Sequence, residues 1–144
     1  WPKFVKNLSD QFESRVVTVK IPKNNSIFFN EMENSSIPVI TAHGEGRAFF
    51  SNPNDHKEMS QKEQITLQYV TNLHEVTKNY PLNPNGSVDG VTGFTNDDGR
   101  FNIMMPHPER MFRSEQNTWS REKNSEYGPW FKMFTNAYNY LKNS

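Results

Sequence analysis

The sequence predicts a domain of the α/β class, in which helices cover a sheet of short strands. Three segments carry this prediction. Residues 13–21 alternate between apolar and polar side chains and are followed by a proline, as in a half-buried strand. Residues 37–42 form a nearly continuous apolar run, which is typical of a strand buried on both faces. Residues 129–141 begin with a proline and then repeat apolar side chains at helical spacing, which predicts a C-terminal helix.

The remaining segments complete a mixed sheet with its connections. Residues 26–32 begin with serine, a favourable helix cap, and predict a short helix over one face of the sheet. Residues 51–61 are polar and predict a surface excursion, whereas residues 65–69 alternate as another strand. The sequence Asn-Pro-Asn-Gly at 83–86 predicts a turn. Two short runs between residues 90 and 105, separated by Asn-Asp-Asp-Gly-Arg, predict a β-hairpin.

Length and composition limit the classes of function. The 144 residues are enough for one domain with one modest core. Sixteen Lys and Arg balance sixteen Asp and Glu, so we expect neither nucleic acid nor an anionic membrane as a partner. No apolar run approaches the ~20 residues that span a bilayer, and we expect a soluble, cytoplasmic protein. Because cysteine is absent, these residues contain no disulfide, thiolate metal site or cysteine nucleophile.

The segment Met-Met-Pro-His-Pro-Glu-Arg at 104–110 places an imidazole, His107, two residues before a carboxylate, Glu109. The segment follows a predicted strand, and the flanking prolines stiffen the backbone, so both side chains are expected to project to one side. A carboxylate on one ring nitrogen fixes the tautomer and stabilises the imidazolium that forms when the other nitrogen accepts a proton. The pair is therefore a candidate general base with its orienting acid, without a nucleophile beside it.

Two other interpretations of this pair remain open from the spacing alone. In the first, His107 is a turn residue of a rigid loop, and Glu109 forms an ion pair with Arg110 or Arg113. In the second, the pair binds a metal ion. No third ligand stands at motif spacing, so we expect no metal site.

A second candidate site, His-Gly-Glu-Gly-Arg at 43–47, directly follows the apolar run. Ligands of open α/β sheets characteristically bind where strands end. The two glycines allow a substrate to approach the backbone closely, and the polar side chains suit a zwitterion. A glycine-rich hairpin with a surface ion pair between Glu45 and Arg47 explains the same residues equally well.

Three motifs occur in order along the chain: Ala-His-Gly-Glu-Gly-Arg at 42–47, Asn-Pro-Asn-Gly-Ser at 83–87 and Met-Met-Pro-His-Pro-Glu-Arg at 104–110. Together they resemble the glutaminase domain of phosphoribosylformylglycinamidine synthases, the glutamine-dependent amidotransferases of purine biosynthesis. Three further segments resemble the long, single-chain form of these enzymes: Trp-Pro-Lys-Phe-Val-Lys-Asn at 1–7, Gln-Asn-Thr-Trp at 116–119 and Gly-Pro-Trp-Phe-Lys-Met-Phe at 128–134.

The resemblance implies a Cys-His-Glu triad, in which His107 corresponds to the base and Glu109 to its orienting acid. It also implies that His43 and Gly44, and less directly Glu45, belong to the glutamine pocket. The implied fold is the flavodoxin-like fold of class I glutamine amidotransferases. Residues 1–144 would be its C-terminal part, without the upstream strands and the elbow that bears the cysteine, so we expect this polypeptide alone to hydrolyse no glutamine.

The function that the resemblance implies is hydrolysis of glutamine, with the ammonia used to convert formylglycinamide ribonucleotide to the amidine. The resemblance implies that this domain is part of a longer protein, an ATP-dependent ligase, which we call the parent. The expected partners are glutamine and the remaining domains of the parent. Mg-ATP would bind in those domains, because the present residues contain no phosphate-binding loop and need no cofactor. Two alternatives remain: a small separate glutaminase subunit of the same synthase, and a non-catalytic interaction module with this fold.

Overall fold

The computed structural model describes residues 1–118 and 125–143. The strands in these ranges are β1 (Lys3–Val5), β2 (Glu13–Lys20), β3 (Ser36–His43), β4 (Arg47–Phe49), β5 (Ile65–Tyr69), β6 (Val91–Thr95) and β7 (Asn102–Met104). The α-helices are α1 (Pro53–Gln61) and α2 (Phe131–Lys142), and 3-10 turns occupy Ile27–Phe29, Val88–Gly90, Pro108–Arg110 and Ser114–Gln116. Trp119, which ends the Gln-Asn-Thr-Trp segment, lies outside the described residues.

Five strands form one sheet in the order β3-β2-β5-β6-β7, and β1 pairs with β4 in a small second sheet. Strands β2 and β3 pair along their whole length, from Glu13 opposite His43 to Lys20 opposite Ser36. The sequence predicted a mixed sheet, but every strand pairing within the described ranges is antiparallel. Parallel neighbours need a long crossover, usually helical. The segments that join β2 to β3, β5 to β6 and β6 to β7 contain no α-helix.

The larger of two apolar clusters lies on one face of strands β2 and β3, and a smaller one is formed by Ile65, Val91 and Phe94 with Ala48. Val19 and Val39 of the paired strands β2 and β3 are fully buried in the larger cluster. Trp130, just before α2, is fully buried against them, and its indole N–H donates to the Pro38 carbonyl oxygen (2.6 Å). The predicted C-terminal helix is confirmed, although it begins at Phe131, after a turn that contains the predicted proline.

The prediction that β3 is buried on both faces is wrong. Val39 is fully buried, whereas its neighbour Pro38 is exposed, and this alternation continues along the strand. Like its neighbour β2, strand β3 belongs to an antiparallel sheet and packs only one of its faces on the core. The strands predicted at 13–21 and 65–69 are confirmed as β2 and β5, and the predicted hairpin is confirmed as β6 and β7.

The helix predicted at residues 26–32 is reduced to a single 3-10 turn. The Ser26 hydroxyl accepts a hydrogen bond from the Phe28 N–H (3.4 Å), so the predicted cap is present. Asn30 is extended and Glu31 has a positive φ of 58°, and neither conformation continues a helix. The chain therefore turns back toward β3 after this single turn.

The surface excursion predicted at residues 51–61 contains helix α1. The Asn52 side chain caps it by accepting a hydrogen bond from the Asn54 N–H (3.0 Å). No residue of α1 is buried, so the helix has no apolar periodicity that the sequence could display. The turn predicted at 83–86 is confirmed, and Gly86 has the positive φ, 77°, for which glycine is suited.

Candidate active site

His107 and Glu109 lie on a loop that is attached to the edge of the sheet. The His107 N–H donates to the Ile40 carbonyl oxygen of β3 (2.8 Å) and thereby extends the sheet beyond its edge strand. Pro108 then begins the 3-10 turn that carries Glu109. As a result, His107 Nδ1 lies 2.9 Å from Glu109 Oε1. The carboxylate and the imidazole are thus in the contact that their spacing led us to expect.

The contact leaves one nitrogen of His107 available. The side chain of His107 is 29% exposed and that of Glu109 is 55% exposed. With Nδ1 facing a carboxylate, the neutral ring carries its hydrogen on Nδ1, and Nε2 can accept a proton. Glu109 Oε1 also lies 3.8 Å from Arg110 Nε, so the ion pair of the alternative interpretation coexists with this contact. Arg113 pairs instead with Glu126 (3.4 Å).

His43 ends β3 and lies beside this pair, so the two predicted sites meet. The centroid of its ring is 6.2 Å from that of His107, and the ring planes are inclined at 44°. The imidazole is buried, and neither ring nitrogen has a hydrogen bond of normal geometry. Burial lowers the pKa of His43; the nearby Asn85 side chain opposes this change, and charge on His107 adds to it. The neutral form of His43 is therefore favoured.

Glu13 lies directly opposite His43 in the β2–β3 pairing. Its carboxylate is buried and forms an ion pair with Arg15, which is also held by the Tyr80 hydroxyl (3.0 Å). The second carboxylate oxygen, Oε1, has no hydrogen-bond partner. The negative charge of Glu13 raises the pKa of His43 slightly, against the larger effect of burial. The interior beneath the candidate site is therefore polar rather than apolar.

The segment 43–47 does not form the hairpin of the alternative interpretation. Strand β4 begins at Arg47 and pairs with β1 rather than with β3. The Arg47 Nε–H donates to the Lys6 carbonyl oxygen (3.1 Å), and no ion pair joins Arg47 to Glu45 in this part of the described chain. The segment is an irregular loop between strands of two different sheets.

The two glycines of this loop have different surroundings. A Cβ at Gly46 would lie 2.1 Å from the ring of His43, so glycine is required there for the loop to close over the histidine. Gly44 has open space where a Cβ would project. Because Glu45 is exposed, Gly44 and Glu45 together present the part of the loop that a ligand can reach.

Sequence reasoning missed two asparagines that hold this loop. Asn7 Nδ2 donates to the His43 carbonyl oxygen (2.8 Å), and Asn7 Oδ1 accepts from the Gly46 N–H (3.0 Å). Asn85 Nδ2 also donates to Asn7 Oδ1 (2.8 Å). Asn7 belongs to a segment that contributed only to the family resemblance, and Asn85 to one that otherwise predicted only a turn. Neither the sequence around Asn7 nor the turn sequence around Asn85 gives a sign of a partner distant in the chain.

Other parts of the described structure do not add to the site. No group of three or more His, Cys, Asp or Glu side chains in residues 1–118 and 125–143 is arranged to hold a metal ion. In the same ranges, no helix is long and apolar enough to cross a membrane. A cavity of about 720 Å³ lies between α2 and the β3 edge, lined by Pro38, Phe131 and Lys132 among others, and it contains none of the predicted site residues.

The sequence match and the fold place the chain in the class of glutamine amidotransferase domains. The chain belongs to the CobB/CobQ-like glutamine amidotransferase domain family, which it matches over residues 1–141. It is also similar to the structure of PurLQS from Thermotoga maritima, with 25% sequence identity and a TM-score of 0.69. The similarity covers 98% of this chain and 53% of that one, so the chain spans about half the length of this relative.

These comparisons confirm two predictions from the sequence. The resemblance to the glutamine amidotransferase domain of phosphoribosylformylglycinamidine synthases is confirmed. The α/β, flavodoxin-like amidotransferase fold is confirmed as well, with the C-terminal helix in its predicted place. The roles of individual residues remain to be proposed from the geometry.

Proposed function

We propose that this chain supplies the general base and the glutamine-binding loop of a glutaminase. The ammonia released would serve the ATP-dependent conversion of formylglycinamide ribonucleotide to formylglycinamidine ribonucleotide. The observation that carries the proposal is the 2.9 Å contact between His107 Nδ1 and Glu109 Oε1. The centroid of the His107 ring lies 6.2 Å from that of His43, at the start of the proposed binding loop. Membership of the amidotransferase family supports glutamine as the substrate.

In the proposed reaction, His107 moves protons between a thiol, the leaving group and water. Because the 144 residues contain no cysteine, the nucleophile comes from outside them. His107 Nε2 takes the thiol proton as sulfur attacks the side-chain amide carbon of glutamine, and it returns that proton to the departing ammonia. The same nitrogen then deprotonates the water that hydrolyses the glutamyl thioester, which gives glutamate and restores the thiol. Glu109 stabilises the imidazolium in each step.

We assign glutamine binding to the loop that begins at His43. Gly44 lets the substrate approach the backbone, and the exposed Glu45 carboxylate suits the α-ammonium group of glutamine. The ring nitrogens of His43 are buried, so this residue contributes by its position behind His107 rather than by a direct hydrogen bond to substrate.

The remaining activities belong to the parent protein in this proposal. Its other domains would bind Mg-ATP and the ribonucleotide, use the ammonia and be the main partners of this domain. No phosphate-binding loop occurs in the present sequence. A cytoplasmic location without nucleic-acid or membrane partners follows from the metabolic role, and the balanced charge is compatible with it.

The test is made in the parent protein with His107→Asn, using His74→Asn as the matched control. His74 is exposed and has a positive φ of 64°, a conformation that asparagine tolerates well. We expect His107→Asn to lower glutamine-dependent synthesis by about 10²–10⁴-fold, the usual contribution of general acid–base catalysis. Synthesis with added ammonia should persist, and His74→Asn should change neither rate.

If the glutamine-dependent and ammonia-dependent rates of His107→Asn fell equally, His107 would be structural. Full glutamine-dependent activity in that variant would favour a non-catalytic interaction module or another base. The isolated 144-residue chain gives a second test, because without a cysteine it should show no glutaminase activity above background.

A further inference from the structure

The loop at residues 43–46 is held by a buried asparagine from a different part of the chain. Asn7 lies between β1 and β2 and is only 4% exposed. Its side chain donates to the carbonyl oxygens of Gln11 (2.9 Å) and His43 (2.8 Å). Its Oδ1 accepts from the Gly46 N–H and from Asn85, and its own backbone N–H donates to the Gly44 carbonyl oxygen (2.9 Å). Asn7 thus forms hydrogen bonds with three backbone groups of the loop, one each in His43, Gly44 and Gly46.

These bonds use the full capacity of the Asn7 amide. An asparagine side chain has two N–H donors and two acceptor lone pairs, and all four have partners. The amide orientation is fixed, because Nδ2 faces two carbonyl oxygens and Oδ1 faces a backbone N–H. Aspartate would lack both donors and would add a buried charge, and alanine would leave buried peptide groups of His43 and Gly46 without partners.

A second asparagine ties Asn7 to the centre of the sheet. Asn85 is fully buried, and its Oδ1 accepts from the Tyr69 hydroxyl of β5 (2.6 Å). That hydroxyl accepts in turn from the Thr92 hydroxyl of β6 (3.0 Å). Tyr69 and Thr92 are fully buried, so the chain of hydrogen bonds ends on the most enclosed strands of the domain.

We propose that Asn7 and Asn85 are positioning residues of the glutamine pocket, acting through the backbone of residues 43–46. They hold the peptide groups of His43, Gly44 and Gly46 at a fixed place relative to His107. Misplacement of a binding group by about 1 Å can cost on the order of 100-fold in rate. The inference rests on the proposed function, because it assumes that this loop binds glutamine.

The experiment compares Asn7→Ala and Asn7→Ser with the control Asn72→Ala in the parent protein. Asn72 is exposed and lies in the turn after β5, away from the loop. We expect Asn7→Ala to raise the KM for glutamine by about tenfold or more, with a smaller change in kcat. The KM for ammonia should not change. Serine keeps one donor and one acceptor, so Asn7→Ser should recover part of the affinity for glutamine. It is also the variant to measure if Asn7→Ala does not fold.

Asn85→Ala should give the same pattern as Asn7→Ala, because it removes the link between Asn7 and the sheet. A KM for glutamine within twofold of the wild type in Asn7→Ala, or in Asn7→Ser where alanine does not fold, would overturn the inference. So would equal losses with glutamine and with ammonia, which indicate a general structural role. The His107→Asn variant separates the two levels: retained glutaminase activity there contradicts the proposed function itself.

Discussion

The two ends of the β2–β3 pair bury different kinds of side chain on the same face of the sheet: apolar at one end and polar at the other. At one end Val19 and Ile37 are buried beneath Trp130. At the other end Glu13 and His43 are buried among polar groups. The first arrangement stabilises the fold without directional requirements. The second depends on directional contacts, such as the ion pair between Glu13 and Arg15 and the hydrogen bond from Asn7 to the His43 carbonyl oxygen.

Burying the polar end costs free energy, whereas burying the apolar end stabilises the fold. Burial of apolar surface is favourable at roughly 25 cal/mol per Å², whereas a buried polar group without a partner costs about 1–3 kcal/mol. Asn7 and Asn85 avoid that cost because their amides are hydrogen-bonded. Glu13 Oε1 and the ring nitrogens of His43 are buried without a hydrogen-bond partner and therefore carry that cost. We therefore expect the apolar end to carry most of the stability.

The largest effect should come from Trp130→Ala, which tests the apolar end. The variant loses a fully buried ring and its hydrogen bond to Pro38, and leaves a cavity, so we expect the free energy of unfolding to fall by about 3–5 kcal/mol in urea denaturation. Trp1→Ala is the control, because Trp1 is 61% exposed and should change stability by less than about 0.5 kcal/mol. A loss below ~1 kcal/mol at Trp130 would show that the apolar end does not dominate.

The second-largest change in the free energy of unfolding should come from Tyr69→Phe, which tests the polar end. Removal of the hydroxyl leaves Asn85 Oδ1 and the Thr92 hydroxyl without their partner in the interior, and should lower the free energy of unfolding by about 1–3 kcal/mol. The ring itself is retained, so the measurement isolates the hydrogen bonds. Tyr138→Phe on the exposed face of α2 should have no measurable effect. An unchanged stability in Tyr69→Phe would mean that water replaces the lost partner.

The pH dependence of stability gives a third test, centred on His43. Burial lowers its pKa below the ordinary value of 6.5, so the unfolded chain takes up a proton that the folded chain does not. Stability should therefore fall as the pH drops below about 6.5, and the fall should end once the folded pKa is passed. One proton limits the slope to about 1.4 kcal/mol per pH unit.

His43→Asn removes this contribution, so its free energy of unfolding should depend less on pH between about 7 and 5 than that of the wild type. The charges facing His43 are Glu13 and His107, and both remain in this variant. His74→Asn should keep the wild-type slope. Equal slopes in the wild type and His43→Asn would show that burial does not lower the pKa of His43 in the folded protein.

The apolar end was predictable because its signals are local. Alternation over eight residues identifies β2, and helical spacing identifies α2. Strands β1 and β4 were not predicted, since each has three residues and their pairing joins Lys3 to Phe49. The exposed face of β3 was also missed, because a short apolar run does not reveal whether one face of a strand or both faces are covered by other elements.

The candidate site divides in the same way. The contact between His107 and Glu109 was predictable, since two residues on a proline-stiffened segment can meet in few ways. The approach of His43 to His107 was not predictable from spacing, because it depends on the bond from the His107 N–H to Ile40 of the edge strand. The link between Asn7 and Asn85 spans 78 positions, and only the complete fold brings its two ends together.

The smallest expected effect lies outside both ends, in helix α1. No residue of α1 is fully buried, and only its partly buried Met59 packs against an apolar cluster, so we expect its stability to depend strongly on its cap. Asn52→Ala removes the hydrogen bond to the Asn54 N–H and should destabilise the helix by about 1 kcal/mol, which corresponds to roughly fivefold faster amide hydrogen exchange within α1. The free energy of global unfolding should hardly change, since a helix with no fully buried residue is expected to open locally.

Asn54→Ala is the matched control for this cap. It replaces an exposed residue in the first turn by a better helix former, so exchange in α1 should slow slightly rather than quicken. If Asn52→Ala instead lowered the global free energy of unfolding by the full ~1 kcal/mol, α1 would unfold together with the sheet. Stability would then be shared more widely than the contrast between the two ends of the β2–β3 pair implies, because an element without buried side chains would belong to the same cooperative unit as Trp130.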